Sequence, residues 1–199
     1  MKLKYAVLCS VGNEQRIQNV RKMRLAIPEL NVVMANMDDC FRKHIELFNV
    51  EEQYDGVVIL EDDVQLCKNF KERLATVLAG HEHEVVSMFE SACSKKPLKS
   101  ECRNGGRFAW NQCNYYPKEI GKQLADPKWL DRFLEYFYTK RNEPWNYPID
   151  IYISYVLNEL GLKYWMSVPF LVQHLDMQSN FPGRSLNRQS KYFIDDMGD

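Results

Sequence analysis

The sequence predicts a single α/β domain with a mostly parallel central sheet flanked by helices. Short apolar runs alternate with segments of helical period, in the order strand, helix, strand, helix, strand. That order implies parallel strands joined by right-handed crossovers. The length of 199 residues suits one domain with a full core, and 45% hydrophobic with 13% aromatic residues is the composition of an ordinary folded chain.

The first expected strand is 5–9, closed by the turn-prone Ser10-Val11-Gly12-Asn13. Over 14–26, Ile17, Val20, Met23 or Arg24, and Ile27 recur at helix spacing until Pro28 ends the run. A second strand is expected at 31–35, a helix at 41–48 and a third strand at 57–60. A helix at 70–78 and a strand at 85–89 follow. Residues 94–107 are a hydrophilic connection with Lys95, Lys96, Lys99, Arg103 and Arg107. It reads either as a solvated loop or as a mobile basic loop that meets an anionic acceptor, with Gly105-Gly106 as its hinge. A strand at 108–116 precedes a helix at 117–124 and another capped by Asp126-Pro127, with Trp129, Leu130, Phe133, Leu134 and Phe137 on its apolar face. Asp150 opens an apolar helix that stops at Gly161, and 162–168 returns as a strand.

The chain is organised around Asp55-Gly56-Val57-Val58-Ile59-Leu60-Glu61-Asp62-Asp63-Val64, a buried strand running into three carboxylates. Adjacent acids repel and resist desolvation, so a purely stabilising role is a poor explanation. With an extended backbone, Glu61 and Asp63 point one way and Asp62 the other. Oxygen-rich side chains at a strand end suit a hard divalent cation that also carries phosphates. The plainer alternative is an acidic turn.

In open α/β sheets, ligands bind outside the carboxyl ends of the strands. That rule makes neighbours of the loops 10–16, 36–39 and 61–63, and the arrangement is a nucleotide-binding half. Neither GxGxxG nor GxxxxGK[ST] occurs, which argues against dinucleotide and P-loop chemistry. The six cysteines form no CxxC pair, so zinc-ribbon and thioredoxin-like motifs are unsupported. Cys9 and Cys67 lie in or beside apolar segments, as free buried thiols do. A net charge of -1 gives no global reason for a nucleic-acid or membrane partner. The basic-then-apolar start is too short for a signal-peptide core and no stretch has transmembrane length, so a soluble, cytoplasmic protein of a reducing compartment is expected.

Later residues offer partners for the triplet. Asp150 is either a helix-capping acid or a carboxylate projected from a fixed point, as a general base requires. His174 ends the apolar run Pro169-Phe170-Leu171-Val172-Gln173-His174 and is either structural or the imidazole of a carboxylate metal site. Arg184, Arg188 and Lys191 belong to a solvated tail or to a flap over a diphosphate.

Together these pieces resemble the GT-A class of nucleotide-sugar glycosyltransferases. Leu60-Glu61-Asp62-Asp63 is similar to its acidic (DXD-type) metal motif in the LEDD form of the family 25-like enzymes. Pro148-Ile149-Asp150 resembles the position of the catalytic acid in inverting members, and the Pro169–His174 run, with Ser179 following, resembles the class's late metal histidine. Small phage-type glycosyltransferases offer a similar scale.

The resemblance implies one GT-A domain with a Rossmann-like sheet: 1–90 as the nucleotide and metal half, 91–180 as the acceptor side and 181–199 as a basic tail. It implies Mn²⁺ or Mg²⁺ on Glu61, Asp63 and His174, with Asp150 as base. Gly12, Asn13, Arg16, Asp38, Glu61 and Asp62 would hold the nucleotide, and Arg184 and Arg188 the diphosphate. The donor would be a nucleotide sugar such as a UDP-sugar, and the acceptor a glycan, a lipid-linked sugar or a hydroxylated DNA base. The chain departs from the class in starting its motif with Glu61 and in lacking a glutamate before Asp150. A nucleotidyltransferase and a non-catalytic nucleotide-sugar-binding module are the rival readings.

Overall fold

The computed structural model describes residues 1–36, 38–90, 99–109, 111–140, 149–175, 177, 189–190 and 192–194. The chain runs β1 (Leu3–Ser10), α1 (Glu14–Ala26), β2 (Asn31–Ala35), α2 (Cys40–Leu47), β3 (Gly56–Glu61), β4 (Val64–Leu66), α3 (Phe70–Leu78) and β5 (Val85–Ser87). It continues with β6 (Glu101–Asn104), a 3-10 turn (Gly105–Arg107), β7 (Cys113–Pro117), α4 (Lys118–Ala125), α5 (Pro127–Lys140), α6 (Ile149–Glu159), β8 (Lys163–Met166) and β9 (Val172–His174). Seven strands form one sheet in the order β2-β1-β3-β7-β5-β8-β6, and β4 and β9 form a separate two-stranded ribbon.

The α/β fold class holds, with helices packed on a central sheet. That sheet is mixed: β2, β1 and β3 are mutually parallel, as are β5 and β8, while β7 runs antiparallel between β3 and β5, and β6 antiparallel to β8. The consequence for the site is direct. The carboxyl ends of β1, β2 and β3 share one edge, and the antiparallel β7 brings its first residues to that same edge.

Both faces of the sheet are covered, as the unbroken apolar run of β3 requires. Val57 and Ile59 face a core built with Phe48, Leu124, Phe133, Tyr152 and Val156, contributed by α4, α5, α6 and the end of α2. Val58 and Leu60 face the other core, with Val20 and Met23 of α1 and Phe70, Leu74 and Leu78 of α3. Alternate β3 side chains thus enter opposite layers, which fixes the register of the strand that delivers the acids.

Two local expectations change. Within the hydrophilic connection, Lys95 and Lys96 lie outside the described residues, but β6 occupies 101–104. Gly105 is packed rather than hinge-like: a Cβ there would stand 2.5 Å from Leu157 Cβ and 2.5 Å from the Leu162 carbonyl, while the exposed Gly106 donates its N–H to Asn104 Oδ1 at 2.8 Å. The strand expected at 108–116 shortens to 113–117, because Phe108 N–H bonds back to the Gly105 carbonyl at 2.9 Å. Trp110 lies outside the described residues.

Candidate metal and nucleotide site

The acidic triplet does not continue the strand. β3 ends at Glu61, and Asp62-Asp63 form a turn before β4 starts at Val64. The alternation of an extended chain is therefore lost, and Asp62 and Asp63 reach the same guanidinium. Asn19 of α1 clasps this turn from below: its Nδ2 donates to the Asp62 carbonyl at 3.0 Å and to the Val64 carbonyl at 2.8 Å. On the far side, Leu175 N–H donates to the Asp63 carbonyl at 2.7 Å.

Asp62 is buried and spent on scaffolding. One carboxylate oxygen accepts from Ser10 N–H at 2.8 Å and the other from Arg16 Nη1. Burial pushes its pKa up, against the opposing pull of Arg16 and of the Ser10 amide. Arg16 also donates from Nη2 to Asp63 Oδ2 at 2.7 Å. Burial works against the charge of Arg16, but the attraction of Asp63 and Asp62 wins and holds its pKa above the usual arginine value. The buried face of α1 is Arg16, Asn19, Val20 and Met23, the i, i+3, i+4, i+7 stripe of a core-facing helix with two polar members. Sequence reasoning placed Arg16 at the nucleotide and missed Asn19. The signal was present, since a polar pair at that spacing on a packed helix needs a polar partner.

The late histidine arrives through the ribbon. β4 and β9 pair antiparallel with Val64 opposite His174, which sets His174 beside Asp63. His174 Nε2 lies 3.3 Å from Asp63 Oδ2, and the ring is buried with 3% of its surface exposed. Neither ring nitrogen makes a hydrogen bond among the described residues.

Glu61 and Asp150 belong to the same electrostatic neighbourhood. Desolvation, then the nearby Asp63 and Asp150 carboxylates, hold Glu61 well above the usual carboxylate pKa, outweighing Arg16. Asp150 stands in the first turn of α6, half-buried. Tyr116, raised chiefly by burial, is raised next by Asp150. The first residues of β7 and those before it add an amide layer that the sequence reading did not assign. Gln112 Nε2 donates to Glu61 Oε2 at 3.2 Å, and the Gln112 carbonyl accepts from Glu61 N–H at 3.0 Å. Asn111 Oδ1 accepts from Tyr116 Oη at 3.1 Å and from Asn114 Nδ2 at 3.3 Å, while its own Nδ2 contacts His44 Nε2 at 2.9 Å. No motif marks these residues, because they reach the site only through the antiparallel placement of β7.

The remaining candidates lie on the same edge. Gly12, at φ +79°, makes the turn after β1, and Asn13 caps α1 by accepting from Arg16 N–H at 3.3 Å. Val11 N–H joins this loop to the Ala35 carbonyl at 3.0 Å, so the β1 and β2 loops are tied. Asp38 is exposed in the turn after β2, where Asp39 makes the local bonds. Arg184, Arg188, Lys191, Pro148 and Ser179 lie outside the described residues. Arg103, from the basic connection, is paired with Glu90 at 2.7 Å and Glu101 at 2.9 Å.

Among the described residues, no three His, Cys, Asp or Glu side chains converge as a metal cage. Asp63 and His174 still fit a metal. A hard carboxylate oxygen and a buried imidazole whose ring nitrogens make no hydrogen bond among the described residues form a donor pair that suits Mn²⁺, and Mg²⁺ less well, when phosphate oxygens complete the shell. Among the described residues, no helix is long and apolar enough to cross a membrane.

No family model matches the chain, and no curated protein matches it. Among solved structures, it is similar to the crystal structure of A197 from STIV, with a TM-score of 0.48 and 14% identity over 98% of this chain and 97% of that chain.

Proposed function

We propose that the protein is a metal-dependent glycosyltransferase that moves a sugar from a nucleoside-diphosphate sugar, such as a UDP-sugar, to a hydroxyl acceptor. One observation carries this reading: among the described residues, Asp62 and Asp63 share one arginine, His174 lies against Asp63, and Glu61 sits in the field of Asp63 and Asp150. Among the described residues these acids outnumber the guanidinium, and a divalent cation would offset the repulsion that, after desolvation, raises Glu61.

Asp63 and His174 would hold the metal, with Glu61 beside them. When bound, the metal would supply Lewis-acid stabilisation of the leaving diphosphate. Gly12, Asn13 and Arg16 form the loop against which the nucleotide rests, and Asp38 stands at its outer edge. Asp62 keeps that loop closed onto the acidic turn through Ser10 and Arg16. In an inverting transfer, Asp150 takes the proton of the acceptor hydroxyl, and its position in the first turn of a packed helix fixes that carboxylate. Arg184 and Arg188, outside the described residues, would add positive charge at the diphosphate. The acceptor is best read as a sugar hydroxyl of a glycan or lipid-linked saccharide. A hydroxylated DNA base finds less support, because Arg103, in the described part of the basic connection, is already neutralised by Glu90 and Glu101.

Product analysis tests the reading. Incubation with a panel of nucleotide sugars and Mn²⁺ should release nucleoside diphosphate, and EDTA or Asp63→Ala should abolish release. Pyrophosphate as the product would mean nucleotidyl transfer instead, and nucleotide-sugar binding without turnover would mean a binding module.

A further inference from the structure

We propose that Arg16 is a built-in counter-cation that keeps the metal position closed until a diphosphate arrives. Its guanidinium leaves Asp63 for the diphosphate as the divalent cation takes its place between Asp63 and His174. The inference rests on the metal-and-diphosphate reading above.

Three observations carry it. Arg16 Nη2 and His174 Nε2 address the same oxygen, Asp63 Oδ2, at 2.7 Å and 3.3 Å. A cation bound to that oxygen and to His174 would stand within a few ångströms of the guanidinium in a site largely closed to water, where like charges repel strongly. Arg16 and the metal therefore compete for Asp63. Secondly, the guanidinium keeps a donor in hand: its Nε is buried and makes no hydrogen bond among the described residues. A fork with an unspent edge suits a second anion, and diphosphate oxygens match guanidinium geometry as carboxylates do. Thirdly, Arg16 springs from the first turn of α1, directly after the Gly12-Asn13 turn at the carboxyl edge of the sheet. The guanidinium therefore lies between that loop and the acidic turn, in reach of a ligand on the one and bonded to Asp63 on the other. Asp62 does not compete for the metal, because its other oxygen is committed to the Ser10 amide.

Exchange of one cation for another leaves the acids compensated throughout, whereas departure of Arg16 alone would not. The device makes metal and nucleotide binding mutually dependent, and such coupling is reciprocal.

The test is a Mn²⁺ titration of the full chain, followed by electron paramagnetic resonance, with and without UDP and corrected for Mn²⁺ bound to free UDP. Saturating UDP should tighten Mn²⁺ binding to the wild type by roughly 5–150-fold, the usual span of such coupling. Arg16→Gln should bind Mn²⁺ without nucleotide at least about tenfold more tightly than wild type, with most of the coupling gone. Arg16→Lys, which keeps the charge but cannot bridge two carboxylates, should fall between them. A readout free of folding defects comes from the wild type alone: the Arg16 Nη resonances, restrained by Asp62 and Asp63, should shift on addition of Mg²⁺ with UDP. Unmoved resonances at saturation, or equal nucleotide-free Mn²⁺ affinities in wild type and Arg16→Gln, overturn the inference and leave the metal reading standing. No Mn²⁺ binding to the wild type, with or without UDP, overturns both.

Discussion

His174 Nε2 stands 3.3 Å from Asp63 Oδ2, although the two residues are far apart in the sequence. The ribbon of β4 and β9 makes this contact, by pairing Val64 with His174 directly after the acidic turn. Burying an acid and an imidazole together, beside Asp62 of the same turn and Glu61 at the end of β3, costs solvation that the Arg16 ion pairs offset in part. The proposed divalent cation would offset more of that cost.

Asp62 should behave as scaffold rather than as ligand. Asp62→Ala leaves part of Arg16 and the Ser10 amide without their acceptors, and breaking such a buried pair costs about 3–5 kcal/mol. Urea denaturation should show this loss, while any folded fraction keeps metal affinity within a few-fold of wild type. A large, selective loss of metal affinity without loss of stability would make Asp62 a ligand.

Asn19 fixes the shape of the acidic turn. Asn19→Ala strips a donor from the Asp62 and Val64 carbonyls, at a cost of about 1–3 kcal/mol. The variant should show a lower urea midpoint with an unchanged denaturant slope. An unaltered midpoint would mean that the turn holds itself.

Asp150→Asn should lower transfer by about 10²–10⁴-fold, the usual contribution of a positioned general base, with donor and metal binding retained. Measured under single-turnover conditions, an undiminished rate would remove Asp150 from the chemistry.

His44 supplies a pH signature of stability. Burial pushes its pKa down from 6.5 to about 3, so the folded protein keeps the imidazole neutral where the unfolded chain protonates it. Between those values the unfolded state binds more protons, and stability falls as pH falls. The contribution is complete above pH 6.5 and declines by about 1.4 kcal/mol per pH unit below it. Between pH 7 and pH 5, wild type should lose about 2 kcal/mol more than His44→Gln. Equal losses would show that His44 is protonated in the native state.

Much of the first half of the fold was legible in the sequence. The bounds 14–26, 31–35 and 70–78 coincide with α1, β2 and α3, because periodicity and local punctuation such as Pro28 set them. β4 was not legible, since three residues show no period and the ribbon exists only through its pairing with β9. Nor was the direction of β7, which depends on its neighbours and brings Asn111, Gln112 and Asn114 to the site edge. Asp63, Asp150 and His174 were legible as residue types in suggestive settings, and the fold brings His174 to Asp63 while Asp150 shares the field of Glu61. The engagement of Arg16 by both aspartates was hidden. It depends on a turn at 62–63, which the sequence offers only as the plainer alternative to an extended junction, and no pattern shows which guanidinium the acids of that turn reach.

The most direct test of the metal reading is the electron spin-echo spectrum of Mn²⁺ bound to the protein with UDP, using chain labelled with ¹⁵N-histidine. A directly coordinated imidazole nitrogen is expected, seen as ¹⁵N modulation that disappears in His174→Ala. Mn²⁺ held with no histidine coupling, or a coupling that survives His174→Ala, would contradict it.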